Sequence, residues 1–506
     1  MRFCDQRKVI ELNSTHFPVY ILLILLITAI VIPLRKGRYD GRFRIEMSIA
    51  LGLALLLSFI IFMDVYRTQA FYYTFGSWDS VIGIQFLVDD FSALMTLIVL
   101  FVATLIIIYS LRDIEHEIYQ EQLFSYYSLI FLLLFSMIGM IFTNDLFNMY
   151  VFMEILSLTS CGIISIKRKK ENLLASFKYL MLGAIGSVSI LMGIALLYMV
   201  TGHLNMLAVR ETISTVWQLY PRNILISLGF ILTGLGIKAA IFPLHIWLPD
   251  AHSNAPTPSS ALLSGLVVKV YVFAMGKILF RVIGQDIVKA ILVPDYLTYF
   301  AATSMIMGSV FAIGQKDIKR LLAYSSVAQI GYIFLGIGLA TEMGFSAGLF
   351  HVVSHALMKS SLFLSAGAVI YQTGKRDIRD MDGIGYLMPV SMGVFSLAAL
   401  GMIGVPGING FMSKWYLSLA VLDAGKPVFL LIILISSFLN SIYYLPIIIS
   451  AFLRDSKERV NVMVIDNLPK SMMIPMVALS IACLLTGLFP NIIMNIIEKA
   501  VPTFIR

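Results

Sequence analysis

Gln122-Leu-Phe-Ser-Tyr-Tyr-Ser-Leu-Ile-Phe-Leu-Leu-Leu-Phe-Ser-Met-Ile-Gly-Met-Ile-Phe-Thr-Asn144 runs without one charged side chain. A bilayer core about 30 Å thick takes about 20 apolar residues per helical crossing, so this run is long enough to span it. Working outward, comparable stretches with few charges occupy 17–34, 47–63, 91–111, 146–166, 173–200, 223–249, 258–280, 296–315, 321–341, 343–374, 387–422, 427–452 and 472–497. The expectation is fourteen crossings. Backbone amides cannot stay unpaired in lipid, so each crossing is a helix or a strand of a closed barrel. Barrel strands alternate polarity over about ten residues; these runs are long and uniformly apolar. The fold class is an all-α integral membrane protein.

Composition agrees. Hydrophobic residues make up 59% of the 506, charged residues 13%, and mean hydropathy is +0.89; ordinary soluble domains have about 45–50% and about 25%. The first run ends at Arg35, Lys36 and Arg38 rather than at a small-residue cleavage site, which argues against a secretory signal peptide. Cys4, Cys161 and Cys483 are far apart with no CxxC, so neither a disulfide framework nor a zinc or iron–sulfur site is expected.

Fourteen crossings put both termini on one side. That side carries 12 Lys/Arg and the opposite side 20, including Arg35-Lys36-Gly37-Arg38, Arg42, Arg44, Lys167-Arg168-Lys169-Lys170, Lys316, Lys319-Arg320 and Lys375-Arg376. By the positive-inside rule the richer side is cytoplasmic and both termini are outside. The net charge of +8 is then a topology signal rather than a nucleic-acid surface, because each basic cluster is short and abuts a span.

Six charges fall well inside the apolar runs, away from their last few residues: Glu154, near the middle of the fifth, and Lys178, Lys238, Lys269, Lys359 and Lys414 in the sixth, seventh, eighth, eleventh and twelfth. Each costs about 2.5–3.5 kcal/mol at mid-bilayer. Lys178 lies close to a helix end, where it can snorkel to the headgroups. Glu154, Lys238, Lys269 and Lys359 are too central for that, which leaves structural ion pairs or a proton relay. Burial disfavours an ammonium and a neighbouring carboxylate favours it, so alternating such groups lets protonation at one bias the next. Lysine suits this role because its charge is readily lost on burial, whereas arginine keeps its own. His351, His355 and Lys359 recur every fourth residue and share a helix face. With no acid inside that helix, a titratable stripe is expected there rather than a metal site. His245 and His252 bracket the end of the seventh crossing as relay or core residues.

Two crossings read as broken. The seventh contains Lys238-Ala-Ala-Ile-Phe-Pro243-Leu-His245-Ile-Trp-Leu-Pro249-Asp250, and the twelfth Gly401-Met-Ile-Gly404-Val-Pro406-Gly407-Ile-Asn-Gly410-Phe-Met-Ser-Lys414. Proline removes a donor and glycine loosens a helix. If residues 122–280 and 281–453 are two five-helix units, each break falls in the fourth member beside a lysine. Five is odd, so the second unit is inverted. Paired interrupted helices in inverted repeats mark an ion pathway at the repeat interface. Residues 1–121 then hold three helices and an outside hairpin, with strands at 71–75 and 81–86, and 454–506 hold the fourteenth helix. Gly234-Leu-Gly236-Ile-Lys-Ala239 matches a dinucleotide-binding pattern but has no preceding strand. There is no Walker loop.

Leu248-Pro-Asp-Ala-His-Ser-Asn-Ala-Pro-Thr-Pro-Ser-Ser-Ala-Leu-Leu-Ser-Gly-Leu-Val-Val-Lys269 resembles the hallmark of the antiporter-like membrane subunits of respiratory complex I, Mrp-type Na⁺/H⁺ antiporters and membrane-bound hydrogenases. Asn144–Glu154, Phe177–Ala184, Lys319–Ser326 and His351–Lys359 resemble further motifs of that superfamily, over about residues 85–450. The resemblance implies fourteen helices, inverted repeats and a polar axis through Glu154, Lys238, Lys269 and Lys414, with Lys178, His351, His355 and Lys359 between. It also implies a proton-translocating subunit in a prokaryotic plasma membrane, with other membrane subunits as partners, protons and Na⁺ as ions, and no cofactor in this chain. Lys414, where some relatives carry an acid, and the short C-terminus resemble the Mrp D-type subunit, standing alone or built into a hydrogenase-type complex. A complex I-type pumping subunit and a non-conducting scaffold are the alternatives. Tyr271-Val-Phe273 departs from relatives that often have glycine there.

Overall fold

The computed structural model describes residues 14–34, 41–76, 83–454 and 466–505. The basic run Arg35-Lys36-Gly37-Arg38, Cys4 and the tip of the expected hairpin lie outside them. Two helices, α1 (Phe17–Leu34) and α2 (Gly41–Arg67), precede a two-stranded antiparallel sheet, β1 (Phe71–Thr74) and β2 (Gln85–Val88). The hairpin is present but its second strand sits later than expected: Phe71 pairs with Val88 and Thr74 with Gln85. Gln85 fixes that register. Its carbonyl accepts from Asn144 N at 2.8 Å, and its side-chain oxygen accepts from the amides of Asn144 at 2.9 Å and Asn205 at 3.3 Å.

The bundle continues with α3 (Asp90–Glu117), α4 (Leu123–Phe142), α5 (Leu146–Ser165), α6 (Lys170–Thr201), the short α7 (Met206–Val216) and α8 (Pro221–Ala239). After a turn come α9 (Trp247–Asn254), α10 (Thr257–Leu262), a π-turn at Leu263–Val267, α11 (Val268–Gly276), a second π-turn at Lys277–Ile283 and α12 (Gln285–Ala290). Then follow α13 (Val293–Ile313), α14 (Ile318–Gly338), α15 (Glu342–Thr373), α16 (Ile384–Leu387), α17 (Pro389–Ile403), α18 (Asn409–Asp423), α19 (Val428–Leu453), α20 (Lys470–Leu488) and α21 (Pro490–Ile505). Among the described residues, twelve helices are long and apolar enough to cross a membrane. Three expected crossings, 223–249, 258–280 and 387–422, are not single helices. The expected final crossing at 472–497 is also divided, at Phe489-Pro490, because Pro490 cannot donate into the preceding turn.

The helix starts follow from side-chain caps. Asp89 accepts from Ser92 N while Ser92 Oγ accepts from Asp89 N, a capping box for α3. Asp145 caps α5 and Asp317 caps α14. These two caps are matched further on: Asp145 bridges Asn205 after α6, and Asp317 bridges Asp377 after α15. Both α6 and α15 are 32 residues long and end on a left-handed glycine, Gly202 and Gly374. The core is built around α14 and α15, buried along nearly their whole length, while α1, α2, α6 and α19 leave most of their apolar surface exposed.

Candidate functional site

Glu154 lies midway along α5, and its carboxylate accepts from the Ser187 hydroxyl of α6. The Lys238 ammonium, at the end of α8, is 3.9 Å from Glu154 Oε1 and donates to Ser157 Oγ at 2.5 Å. Its side chain is 2% exposed against 33% for Glu154, so the pair runs from the interior to the lateral surface. The helix stops there because Ala240 adopts a left-handed conformation, φ 56°, ahead of Pro243. Pro249 does not interrupt the chain: it sits in the first turn of α9, where its missing donor is not needed.

From Lys238 the contacts pass to α11. Ser157 Oγ is 3.2 Å from the fully buried Tyr271 hydroxyl. Lys269, two residues earlier, donates to the Ser264 carbonyl in the first π-turn. Gly265 in that turn lets α15 approach, since a Cβ there would be 2.5 Å from Ser360 Oγ.

On α15 the stripe is buried throughout. Lys359 donates to the Leu322 carbonyl at 2.7 Å and to Ser325 Oγ, which is 3.0 Å from the Tyr444 hydroxyl. Both ring nitrogens of His355 are buried without a hydrogen-bond partner among the described residues. His351 Nδ1 is 2.9 Å from Ser413 Oγ, and its ring stacks on His355 at 5.9 Å and on Tyr332 at 5.2 Å. The Lys414 ammonium lies 5.0 Å from the same Tyr332 ring. It donates to the Met402 and Ile403 carbonyls at 2.8 and 2.9 Å and to Ser437 Oγ at 2.9 Å. Those carbonyls end α17, where Gly404 (φ 100°), Pro406 and Gly407 (φ 91°) separate it from α18.

Two sequence patterns cover most of this region. The one described as NADH:quinone oxidoreductase/Mrp antiporter, TM, matches residues 143–440. The one described as NADH-ubiquinone oxidoreductase (complex I), chain 5 N-terminus, matches 75–122. The chain belongs to the NADH:quinone oxidoreductase/Mrp antiporter family. It is 36% identical to the N-type subunit of the NADH-quinone oxidoreductase of Desulforudis audaxviator, over 97% of this chain and 99% of the relative. It is 28% identical to the D-type subunit of the Na⁺/H⁺ antiporter of Alkalihalophilus pseudofirmus, over 78% and 80%. Among solved structures, an archaeal membrane-bound sulfane sulfur reductase superposes with a TM-score of 0.88 at 30% identity, over 97% and 98% of the two chains. An Mrp complex from a Dietzia species superposes at 0.86 with 25% identity, over 97% of each.

Within this antiporter-like chain, the geometry links Glu154 and Lys238 through Ser157 to Tyr271, and His355 and His351 through Tyr332 to Lys414; Lys269 and Lys359 each bond a neighbouring carbonyl, and Lys178 lies apart. Lys178 is 47% exposed and pairs with Asp250 at 2.7 Å. His245 stacks on Phe242 and Phe311, whereas both ring nitrogens of the fully buried His252 lack a partner among the described residues. Three features of the site are not evident from the sequence. Lys277 is 1% exposed and donates to carbonyls at the end of α4, including Thr143 at 2.8 Å. Lys319 is 2% exposed and donates to the Ala255 carbonyl at 2.6 Å. Arg281 forms a buried pair with Asp89 under Phe504 of α21. Lys277 and Lys319 lie near the ends of apolar runs, where a lysine reads as part of a connection; burial alone distinguishes them.

Proposed function

We propose that this chain is the proton-translocating subunit of a multisubunit membrane complex. The observation that carries the reading is the Glu154–Lys238 pair at the head of a buried series of ionisable groups reaching Lys414. Unpaired intramembrane charges oppose insertion by several kcal/mol each, so a series of them spanning two broken helices calls for a function. In this reading Glu154 sets the charge state of Lys238, Lys269 relays through the α15 stripe, and Lys414 exchanges with the far side.

Segments 258–280 and 387–422, added to the twelve long helices, make fourteen crossings in this reading. Inverted repeats over 122–280 and 281–453 are supported by the matched Asp145 and Asp317 caps, by the equal lengths of α6 and α15, and by a break beside a lysine in each half. Lys167, Lys319, Arg320 and Arg376 gather on one rim, which the positive-inside rule makes cytoplasmic, with both termini outside a prokaryotic plasma membrane. Relatives named as Na⁺/H⁺ antiporter subunits support an Mrp-type module with Na⁺ as the counter-ion and further membrane subunits as partners.

One observation favours a second reading. Identity to a quinone oxidoreductase subunit extends over nearly the full length of both chains and exceeds that to the antiporter subunits. On this reading an electron-transfer module in partner subunits drives the same path. Purifying the native assembly separates the two: redox subunits indicate the driven pump, small membrane subunits alone the antiporter. Replacing Lys238 by Ala tests the path itself. Transport in vesicles should be lost while the subunits still assemble; unchanged transport in an intact complex would remove the relay.

A further inference from the structure

A second group of ionisable side chains lies on the basic rim, away from the series above. Tyr109, Asp113 and Glu117 recur every fourth residue on α3 and so share one face. Glu117, at the end of the helix, is fixed: it pairs with Lys167 and accepts from Thr257 N at 2.7 Å. Asp113, one turn deeper, is 2% exposed, and its Oδ2 is buried with no hydrogen-bond partner among the described residues. Tyr109, a further turn in, is fully buried and donates to the Leu364 carbonyl of α15 at 3.0 Å. Leu364 is five residues from Lys359 on the same helix.

The groups facing Asp113 are Glu117 on its own helix, Tyr109, Lys167 and Lys319. Lys319 in turn faces Arg376 and Asp317 at the rim and has a backbone carbonyl rather than a carboxylate as its hydrogen-bond partner. Two carboxyls therefore lie one helical turn apart, only one of them with a counter-charge in contact, beside a buried ammonium. A carboxyl oxygen removed from water without a partner costs about 1–3 kcal/mol or more, and binding a proton removes most of that penalty.

We propose that Asp113, with Glu117 and Lys319, is a proton-loading site through which the buried lysines are supplied from the basic rim. Glu117 stays paired with Lys167 and holds the negative field. Asp113 takes up the proton, and Lys319 sets how readily it leaves. The stripe through Tyr109 reaches α15 at Leu364, just over one helical turn along from Lys359. The site rests on the proton-translocation reading, and its failure can be told apart from the failure of that reading.

The test uses the whole complex in vesicles, with the pH of each face set independently and subunit composition checked. D113N should lower transport by about a hundredfold, the low end of what a positioned proton-transferring group contributes. The dependence on pH at the basic face should flatten, while the dependence on the opposite face stays. D113E should restore most of the rate with a shifted basic-face profile. If D113N fails to assemble, D113E carries the test alone, and an unshifted profile overturns the site. Wild-type transport and profile in D113N, in a preparation where K238A abolishes transport, overturns the loading site and leaves the proposed function standing. Unchanged transport in both variants overturns both.

Discussion

Gly234→Ala adds one methyl group where α8 meets α6, and the structure gives its consequence as a distance. A Cβ at residue 234 would stand 2.4 Å from the Gly186 carbonyl oxygen and 2.5 Å from Ile190 Cγ1. Favourable contact begins at about 3.5 Å, so the two backbones must part by about 1 Å; the nearest atom belongs to main chain and cannot rotate away. Overpacking of this kind costs about 1–3 kcal/mol. The functional effect follows from position. Gly234 is one turn before Lys238, and Gly186 adjoins Ser187, which holds Glu154, so the α6–α8 spacing sets the 3.9 Å separation of the pair. Lengthening it by about 1 Å removes about a fifth of the attraction, just under about 1 kcal/mol at an effective dielectric near 20. The exposure of Glu154 reduces this further, so packing, not charge, dominates the stability change. The same helices supply graded controls. A Cβ at Gly186 meets the Gly234 carbonyl at 3.2 Å, one at Gly183 meets Lys238 Nζ at 3.6 Å, and one at Gly229 meets nothing within 4 Å. Thermal unfolding of the detergent-solubilised complex and proton transport in vesicles should both rank G234A worst, G186A intermediate, and G183A and G229A near wild type. G229A as damaging as G234A would refute the close-approach argument.

Two further outcomes are expected. R281Q leaves Asp89 buried beside an uncharged partner; breaking such a pair costs about 3–5 kcal/mol, so assembly yield should fall, with partial recovery in the D89N/R281Q double variant, and an R281Q complex of wild-type stability would contradict the pair. Y271F keeps the buried ring but removes the hydroxyl facing Ser157; stability should change by no more than about 1–3 kcal/mol while transport drops several-fold, and a wild-type rate would exclude the phenol from the path.

The membrane helices are legible in the sequence because lipid imposes a length and a polarity on each crossing, and Glu154 and Lys238 are legible because a lone charge in an apolar run has few structural uses. Position in a run carries less information at its ends. Lys178 and Lys319 both lie within a few residues of an apolar boundary, yet one is exposed against Asp250 and the other is buried against a carbonyl. Asp113 is hidden from such a reading because α3 continues beyond its apolar stretch to Glu117, carrying the carboxyl inside the protein with it. The register of β2 depends on Gln85 meeting Asn144 and Asn205, a contact between distant segments that no local turn signal encodes. The π-turn before Lys269 is hidden in the same way: Gly265 within it meets Ser360 of α15, a contact between distant segments.

Backbone carbonyls resolve the imbalance of five intramembrane lysines to one acid. Among the described residues, only Lys238 of the buried lysines in the central series has a carboxylate within reach. Lys269 uses Ser264 O, Lys359 uses Leu322 O, and Lys414 uses Met402 O and Ile403 O; Lys277 and Lys319, outside the series, use backbone carbonyls as well. For Lys414 the carbonyls are the unsatisfied last acceptors of a half-helix, where the helix dipole is negative. For Lys269 and Lys414 a π-turn and a helix break thus supply acceptors that a regular helix would consume internally, while Lys359 shares a carbonyl inside α14, so these lysines need no matching acids. A carbonyl accepts from ammonium and from neutral amine alike, whereas a carboxylate binds the charged form far more strongly. Lysines held by carbonyls can therefore change charge without losing their place, which is the property a chain of proton carriers requires. The single carboxylate, Glu154, then stands where one charge state must be favoured over the other: at the partly exposed start of the series.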